Sequence, residues 1–127
     1  MAAISQIENK ILAPVVGASE TDLPLMEFSA NAGSSKNLRA DMVCSGVTVA
    51  AGITVKLQHQ AKGGDYEDLA TGNAVVAISG NGTFSIVLHV QRAADQADLP
   101  LRKSCRLVVT TGAGDAVTFE GVSVQQP

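Results

Sequence analysis

Short runs in which apolar and polar residues alternate dominate this chain, and clusters of Gly, Asn, Asp and Ser separate them. That is the pattern of strands joined by turns. Leu38, Ala40, Met42 and Cys44 share one face of such a run, while Arg39, Asp41 and Ser45 take the other. Ile53, Val55 and Leu57 alternate with Thr54, Lys56 and Gln58, the period-two signature of a half-buried strand. Phe84, Ile86, Leu88 and Val90 line a third run whose opposite face holds Val87 and His89 beside Ser85, so this strand is expected in the middle of a sheet. Further runs at 25–30, 74–79, 105–110 and 116–124 bring the expectation to seven or eight strands. In the last run Val117 and Phe119 are out of phase with Val122 and Val124, and a bulge at Gly121 would return all four to one buried face.

The turns have identifiable chemistry. Asn81-Gly82 tolerates positive φ and predicts a hairpin between Ile78 and Phe84. Gly112-Ala113-Gly114-Asp115 predicts another between the last two strands, Gly63-Gly64-Asp65 ends the Ile53 strand, and Ala32-Gly33-Ser34-Ser35 separates the first two. No helix is expected in the body of the chain beyond one turn at 93–98, before Pro100. Without helical crossovers a parallel sheet is excluded, and the expected fold is all-β: two stacked antiparallel sheets forming a β-sandwich of jelly-roll or related Greek-key type. Ile4, Ile7 and Ile11 are spaced to line one side of a short helix, but a helix this short is not stable alone, so a plain first strand or frayed terminus is expected, with a docking helical arm as the alternative. The expected organisation is an N-terminal arm over 1–21 and a sandwich domain over 22–127, with 14–24 read as the loop that connects them.

Composition changes this picture in one respect. Charged residues make up 17% of the 127-residue chain, against about 25% in typical globular domains. Ala, Gly, Ser, Thr and Asn replace them, small side chains that are immobilised at little entropic cost and allow another surface to approach closely. The net charge of −3 provides no basic field for a polyanion or an anionic membrane, so neither nucleic acid nor membrane is an expected partner. No apolar run reaches the ~18 residues of a membrane span. The first twelve residues, interrupted by Gln6, Glu8, Asn9 and Lys10, lack the pattern of a secretory leader, which points to synthesis in a reducing cytoplasm.

Candidate chemistry is sparse. There is no GxSxG elbow, and neither His59 nor His89 has a nucleophile or second ligand at a motif spacing. His59 continues the buried phase of Ile53, Val55 and Leu57 and is expected at a sheet rim. Asp65, Glu67 and Asp68 surround Tyr66 in a Gly-rich turn that misses the EF-hand pattern and is read as solvated. Cys44 and Cys105, with no CxxC spacing, are read as buried thiols, with a disulfide as the alternative. With no Trp, one Tyr and Phe28, Phe84 and Phe119 on apolar phases, a stacking platform for sugars or single-stranded nucleic acid is wanting. The expectation is a protein that is not an enzyme, with no catalytic, cofactor-binding or metal residue and no cofactor.

Three stretches carry a resemblance: Gly64-Asp65-Tyr66-Glu67-Asp68-Leu69, Ala97-Asp98-Leu99-Pro100-Leu101-Arg102, and Arg106-Leu107-Val108-Val109-Thr110-Thr111-Gly112-Ala113-Gly114. Together, over roughly 22–124, the chain resembles small virion proteins of tailed bacteriophages, in kind the jelly-roll cement or decoration proteins of short-tailed phages. The resemblance implies a structural protein of the virion that binds the outer capsid surface and clamps neighbouring subunits of the major capsid protein. Self-association as a homodimer or a trimer is expected with it. The alternatives are another phage structural subunit, in the tail or neck, and a carbohydrate-binding β-sandwich module.

Overall fold

The computed structural model describes residues 5–10, 14–29, 38–61, 63–69, 74–88 and 104–126. These form ten strand segments: β1 (Ser5–Lys10), β2 (Pro14–Ala18), β3 (Leu23–Ser29), β4 (Leu38–Thr48), β5 (Ile53–Gln60), β6 (Tyr66–Asp68), β7 (Val75–Ile78), β8 (Gly82–Leu88), β9 (Ser104–Thr110) and β10 (Ala113–Gln126). Among the described residues there is no α-helix. Every pairing is antiparallel, in two sheets. Sheet A runs β1-β10-β4-β8 with β2 also on β10; sheet B runs β3-β9-β5-β6 with β7 also on β5.

β1 and β2 lie end to end on one edge of β10, since β1 faces 122–126 and β2 faces 113–118. β6 and β7 share one edge of β5 in the same way, opposite 58–60 and 53–56. The ten segments therefore occupy eight strand positions. Taken in chain order, the first position pairs with the eighth, the second with the seventh, the third with the sixth and the fourth with the fifth. A long antiparallel ribbon rolled up so that its layers pair across β10–β4 and β9–β5 is the jelly roll, and it buries both inner faces with no crossover helix.

Alternation explains the core. Leu38, Ala40, Met42 and Cys44 of β4, Ile53, Val55 and Leu57 of β5, Ile86 and Leu88 of β8 and Leu107 and Val109 of β9 are all buried in one cluster. Fully burying each large apolar side chain contributes about 1.5–3 kcal/mol, so this cluster is the main stabilising term. β10 keeps its phase by a register shift between Phe119 and Gly121, as expected, and Val117, Phe119, Val122 and Val124 all point inward.

Three expectations change. The β8 run ends sheet A instead of lying in its middle. Its outward apolar residue Val87 is half-buried opposite Arg39, so apolar residues on both faces here mark a strand without charge, not a central one. Asn81-Gly82 and 112–115 do form turns, with Gly82 at φ 139° and Gly114 at φ 85°, but each carries the chain from sheet B to sheet A and so joins no hairpin. Turn chemistry specifies a reversal of direction; it does not specify which edge the next strand joins. The 14–24 stretch is not all loop, since β2 begins at Pro14, at the start of an edge segment where a missing N–H is tolerated. Residues 5–10 form a first strand, paired with β10, and not the alternative short helix, because a segment this short takes its conformation from the edge it meets. The expected turns at 32–35 and 93–98 lie outside the described residues.

Candidate interaction surface

The register places the functional side chains on two outer faces and one end. On the outer face of sheet A, β4 presents Arg39, Asp41, Val43 and Ser45, β8 presents Thr83, Ser85 and Val87, and β10 presents Gly121, Ser123 and Gln125. The charges here are tied down. Arg39 Nε lies 3.0 Å from Asp41 Oδ1, Asp41 also accepts a short hydrogen bond from Ser85 Oγ, and Ser45 Oγ donates to Glu120 Oε1 at 2.8 Å. Beside them lies Val43, which is 43% exposed and flanked by the uncharged Thr83 and Gly121.

The outer face of sheet B is different, because one connected polar network crosses it. Arg106 Nε donates to Gln58 Oε1 at 2.8 Å, and Gln58 Nε2 donates to Asp68 Oδ1 at 2.6 Å, so both ends of the buried Gln58 amide are satisfied. Lys56 Nζ bridges Asp68 at 3.0 Å and Asp22 at 3.2 Å. Burial works against the Lys56 charge, but the hydrogen bonds and charges of Asp68 and Asp22 outweigh it and hold the ammonium above its ordinary value. The bond from Gln58, opposed by burial and aided by Lys56, holds Asp68 below the usual carboxylate range. The Arg106 guanidinium lies 4.2 Å over the Tyr66 ring centroid. Burial and the Glu27 charge push the Tyr66 phenol up, partly offset by Arg106.

The third feature is the end of the sandwich where the chain crosses between sheets. Four connections meet there, at 19–22, 49–52, 79–81 and 111–112. Asp115 locks two of them together. Its Oδ1 accepts the backbone N–H of Ala50 at 2.6 Å and Ala51 at 2.9 Å, and its Oδ2 accepts Gly52 N–H at 3.1 Å and Gly112 N–H at 2.7 Å. The carboxylate is buried, and these four donors, Gly112 foremost, hold its pKa down at about 2 against the opposing effect of burial. Thr111 and Thr110 fasten the 19–22 connection: Thr111 N–H donates to Glu20 O at 2.9 Å, and Asp22 N–H donates to Thr110 Oγ1 at 3.1 Å. Asn81 Oδ1 accepts Val47 N–H at 2.9 Å. The Asp115 clamp is the residue that the sequence pattern concealed; the Gly-rich turn that contains it is visible, but its acceptor role depends on a loop some 64 positions away.

Of the other singled-out residues, the register brings His59, Cys105 and Glu67 side by side. His59 is buried on the inward phase of β5, between Cys105 and Glu67 in the register. His89 lies outside the described residues. Cys44 is on β4 in sheet A and Cys105 on β9 in sheet B; both are buried, reduced thiols, and burial pushes them up to about 11 and about 12. Asp65, Glu67 and Asp68 line the β5–β6 hairpin, closed by Gly64 N–H donating to Ala61 O at 2.8 Å with Gly63 at φ 78°. Among the described residues, no three His, Cys, Asp or Glu side chains gather where they would hold a metal ion. Comparison with protein-family models, with curated proteins and with solved structures finds no match to this chain.

Proposed function

We propose that this chain is a structural protein of a bacteriophage virion, a cement or decoration subunit that binds the outer surface of the capsid and strengthens contacts between major capsid subunits. The observation that carries the reading is the outer face of sheet A, where Gly121 and Thr83 flank the exposed Val43, Arg39 pairs with Asp41, and Glu120 accepts a hydrogen bond from Ser45. Centres of protein interfaces are depleted in charge in the same way. A neutral face of small residues on a rigid jelly roll gives modest adhesion per copy. Across the many equivalent positions of a shell, modest adhesion adds up, so each subunit need not bind tightly. The protein works as an adhesive between proteins and not as an enzyme.

Purified protein mixed with expanded capsids that lack it should pellet with them at a saturating stoichiometry. A Val43→Glu variant, whose added carboxylate sits on the outer face away from the core, should stay in the supernatant with an unchanged melting temperature. If the unmodified protein fails to pellet, the reading is overturned. If Val43→Glu pellets as well as the parent, sheet A is not the adhesive face.

A further inference from the structure

Asn81-Gly82 is a motif whose expected role the fold does not take up, since it carries the chain between the sheets and joins no hairpin. The pair has a chemistry of its own. An asparagine side-chain amide is electrophilic at Cγ, and the backbone nitrogen of the next residue reaches that carbon and closes a ring most readily when that residue is glycine, which has no side chain to hinder the approach. Asparagine is among the thermolabile residues of proteins for this reason. Asn9, Asn31, Asn37 and Asn73 are followed by Lys10, Ala32, Leu38 and Ala74, whose Cβ atoms stand in the way.

The fold leaves this pair open to the reaction. Asn81 and Gly82 are both exposed, at the crossing from β7 to β8. A Cβ placed on Gly82 would meet nothing within 4 Å, so no other part of the fold crowds that side of the peptide. Val47 N–H donates to Asn81 Oδ1 at 2.9 Å. That bond orients the side chain and sets a backbone donor on the oxygen that takes up negative charge when Cγ is attacked, the arrangement that stabilises tetrahedral intermediates of acyl transfer.

We propose that Asn81 is a site of spontaneous deamidation, with the Gly82 nitrogen as its internal nucleophile and water as the co-reactant. The Gly82 nitrogen gives up its proton and bonds to Asn81 Cγ, the Cγ–Nδ2 bond breaks, and ammonia leaves with that proton, so that a succinimide remains. Water then opens the ring, its hydroxyl going to one of the two carbonyl carbons and its other proton to the Gly82 nitrogen. Opening at Cγ leaves an aspartate, whose carboxylate still accepts Val47 N–H and adds one negative charge to the net −3. Opening at the main-chain carbonyl leaves an isoaspartate. This form inserts a methylene into the main chain just before Gly82, the β8 end of the Cys44↔Gly82 pair, and moves the carboxylate onto Cα, away from Val47 N–H. The proposal goes beyond capsid adhesion and does not depend on it, because the reaction needs only the folded chain and water.

The full chain, held folded at pH 8 and physiological temperature and then digested and sequenced by tandem mass spectrometry, should show the amide-to-acid mass change at residue 81. Conversion there should be at least tenfold faster than at Asn9, Asn31, Asn37 or Asn73, and slower at pH 6, since ring closure needs the Gly82 nitrogen to give up its proton. Isoaspartate should be detected with an isoaspartyl methyltransferase and a labelled methyl donor. Asn81→Asp, already one of the two products, should release no ammonia from this position and keep the parent's melting temperature, whereas the isoaspartate form, isolated by chromatography from aged protein, should melt lower. Residue 81 intact in the folded chain while urea-unfolded protein converts there overturns the proposal, because the fold would then shield the pair. So does another asparagine that converts as fast in the folded chain, and so does an isoaspartate form that melts with the parent, since the Val47 bond and the start of β8 would then be unaffected. Capsid pelleting is read separately, so failure of either proposal leaves the other standing.

Discussion

Adding one methyl group at Gly112 is the most informative test of how the crossing end is built. Gly112 is not among the positive-φ glycines, so alanine fits its backbone conformation. The obstacle is space, because a Cβ there would come closer to the Ala51 Cβ than real Cβ atoms approach. Ala51 cannot easily withdraw: its own N–H and those of its two neighbours are committed to Asp115, and Gly112 N–H holds the other side of the same carboxylate. Overpacking of this kind costs about 1–3 kcal/mol. An unfolding entropy of roughly 2.1 cal/mol/K per residue gives about 0.27 kcal/mol/K for this domain, so Gly112→Ala should lower the melting temperature by about 4–11 °C. Ala51→Gly removes the atom that is struck, and in that background Gly112→Ala should be neutral or slightly stabilising, since alanine restricts the unfolded chain more than glycine does. Chemical denaturation of the parent, both single variants and the double variant gives the coupling energy directly. Additive effects within about 0.3–0.5 kcal/mol would refute the close approach of the two loops.

Three further predictions draw on other parts of the molecule. Asp115 is held at about 2 when folded, below the 3.8 ordinary for an aspartate, so its contribution is complete above 3.8 and is lost as the pH falls through about 2; thermal melts from pH 2 to 5 should show this loss, and Asp115→Asn should be less stable at pH 7 with a flatter profile in that window. Phe119→Ala, which removes a fully buried ring next to the β10 bulge, should cost about 3–5 kcal/mol in urea denaturation. With thiols pushed up to about 11 and about 12 and buried, Cys44 and Cys105 should resist iodoacetamide at pH 8 in the native protein and take up two equivalents after unfolding in guanidinium, as read by mass spectrometry.

Most of the fold was legible because jelly-roll strands alternate between a dry and a wet side. The β4 and β5 runs announce their buried faces residue by residue, and even the β10 bulge shows as a break in phase that only one extra residue repairs. Legibility fails where the deciding interaction is distant along the chain. Leu107, Val108 and Val109 are all buried, so β9 does not alternate, and nothing local shows that it lies between β3 and β5. For the same reason Asn81-Gly82 and Gly112–Asp115 read as hairpins: a turn reports its own φ angles, whereas the choice of sheet is made by a strand, β4, roughly 40 to 90 positions away.

The same distinction explains why Asp115 went unread although its residue type is plain. An Asp after a Gly-rich turn ordinarily caps that turn, and the hydrogen bond from Gly112 does so. Its larger role, gathering the N–H groups of 50–52, exists only once β10 and β4 are neighbours and the β4–β5 connection curls over the same end. A buried carboxylate without a cation is tolerable because the four amides replace its water shell, and those amides, having lost their own water, need an acceptor in return. Clamp and loop each remove the other's desolvation penalty, so substituting either side should loosen the whole crossing end while leaving the outer faces of both sheets as they are.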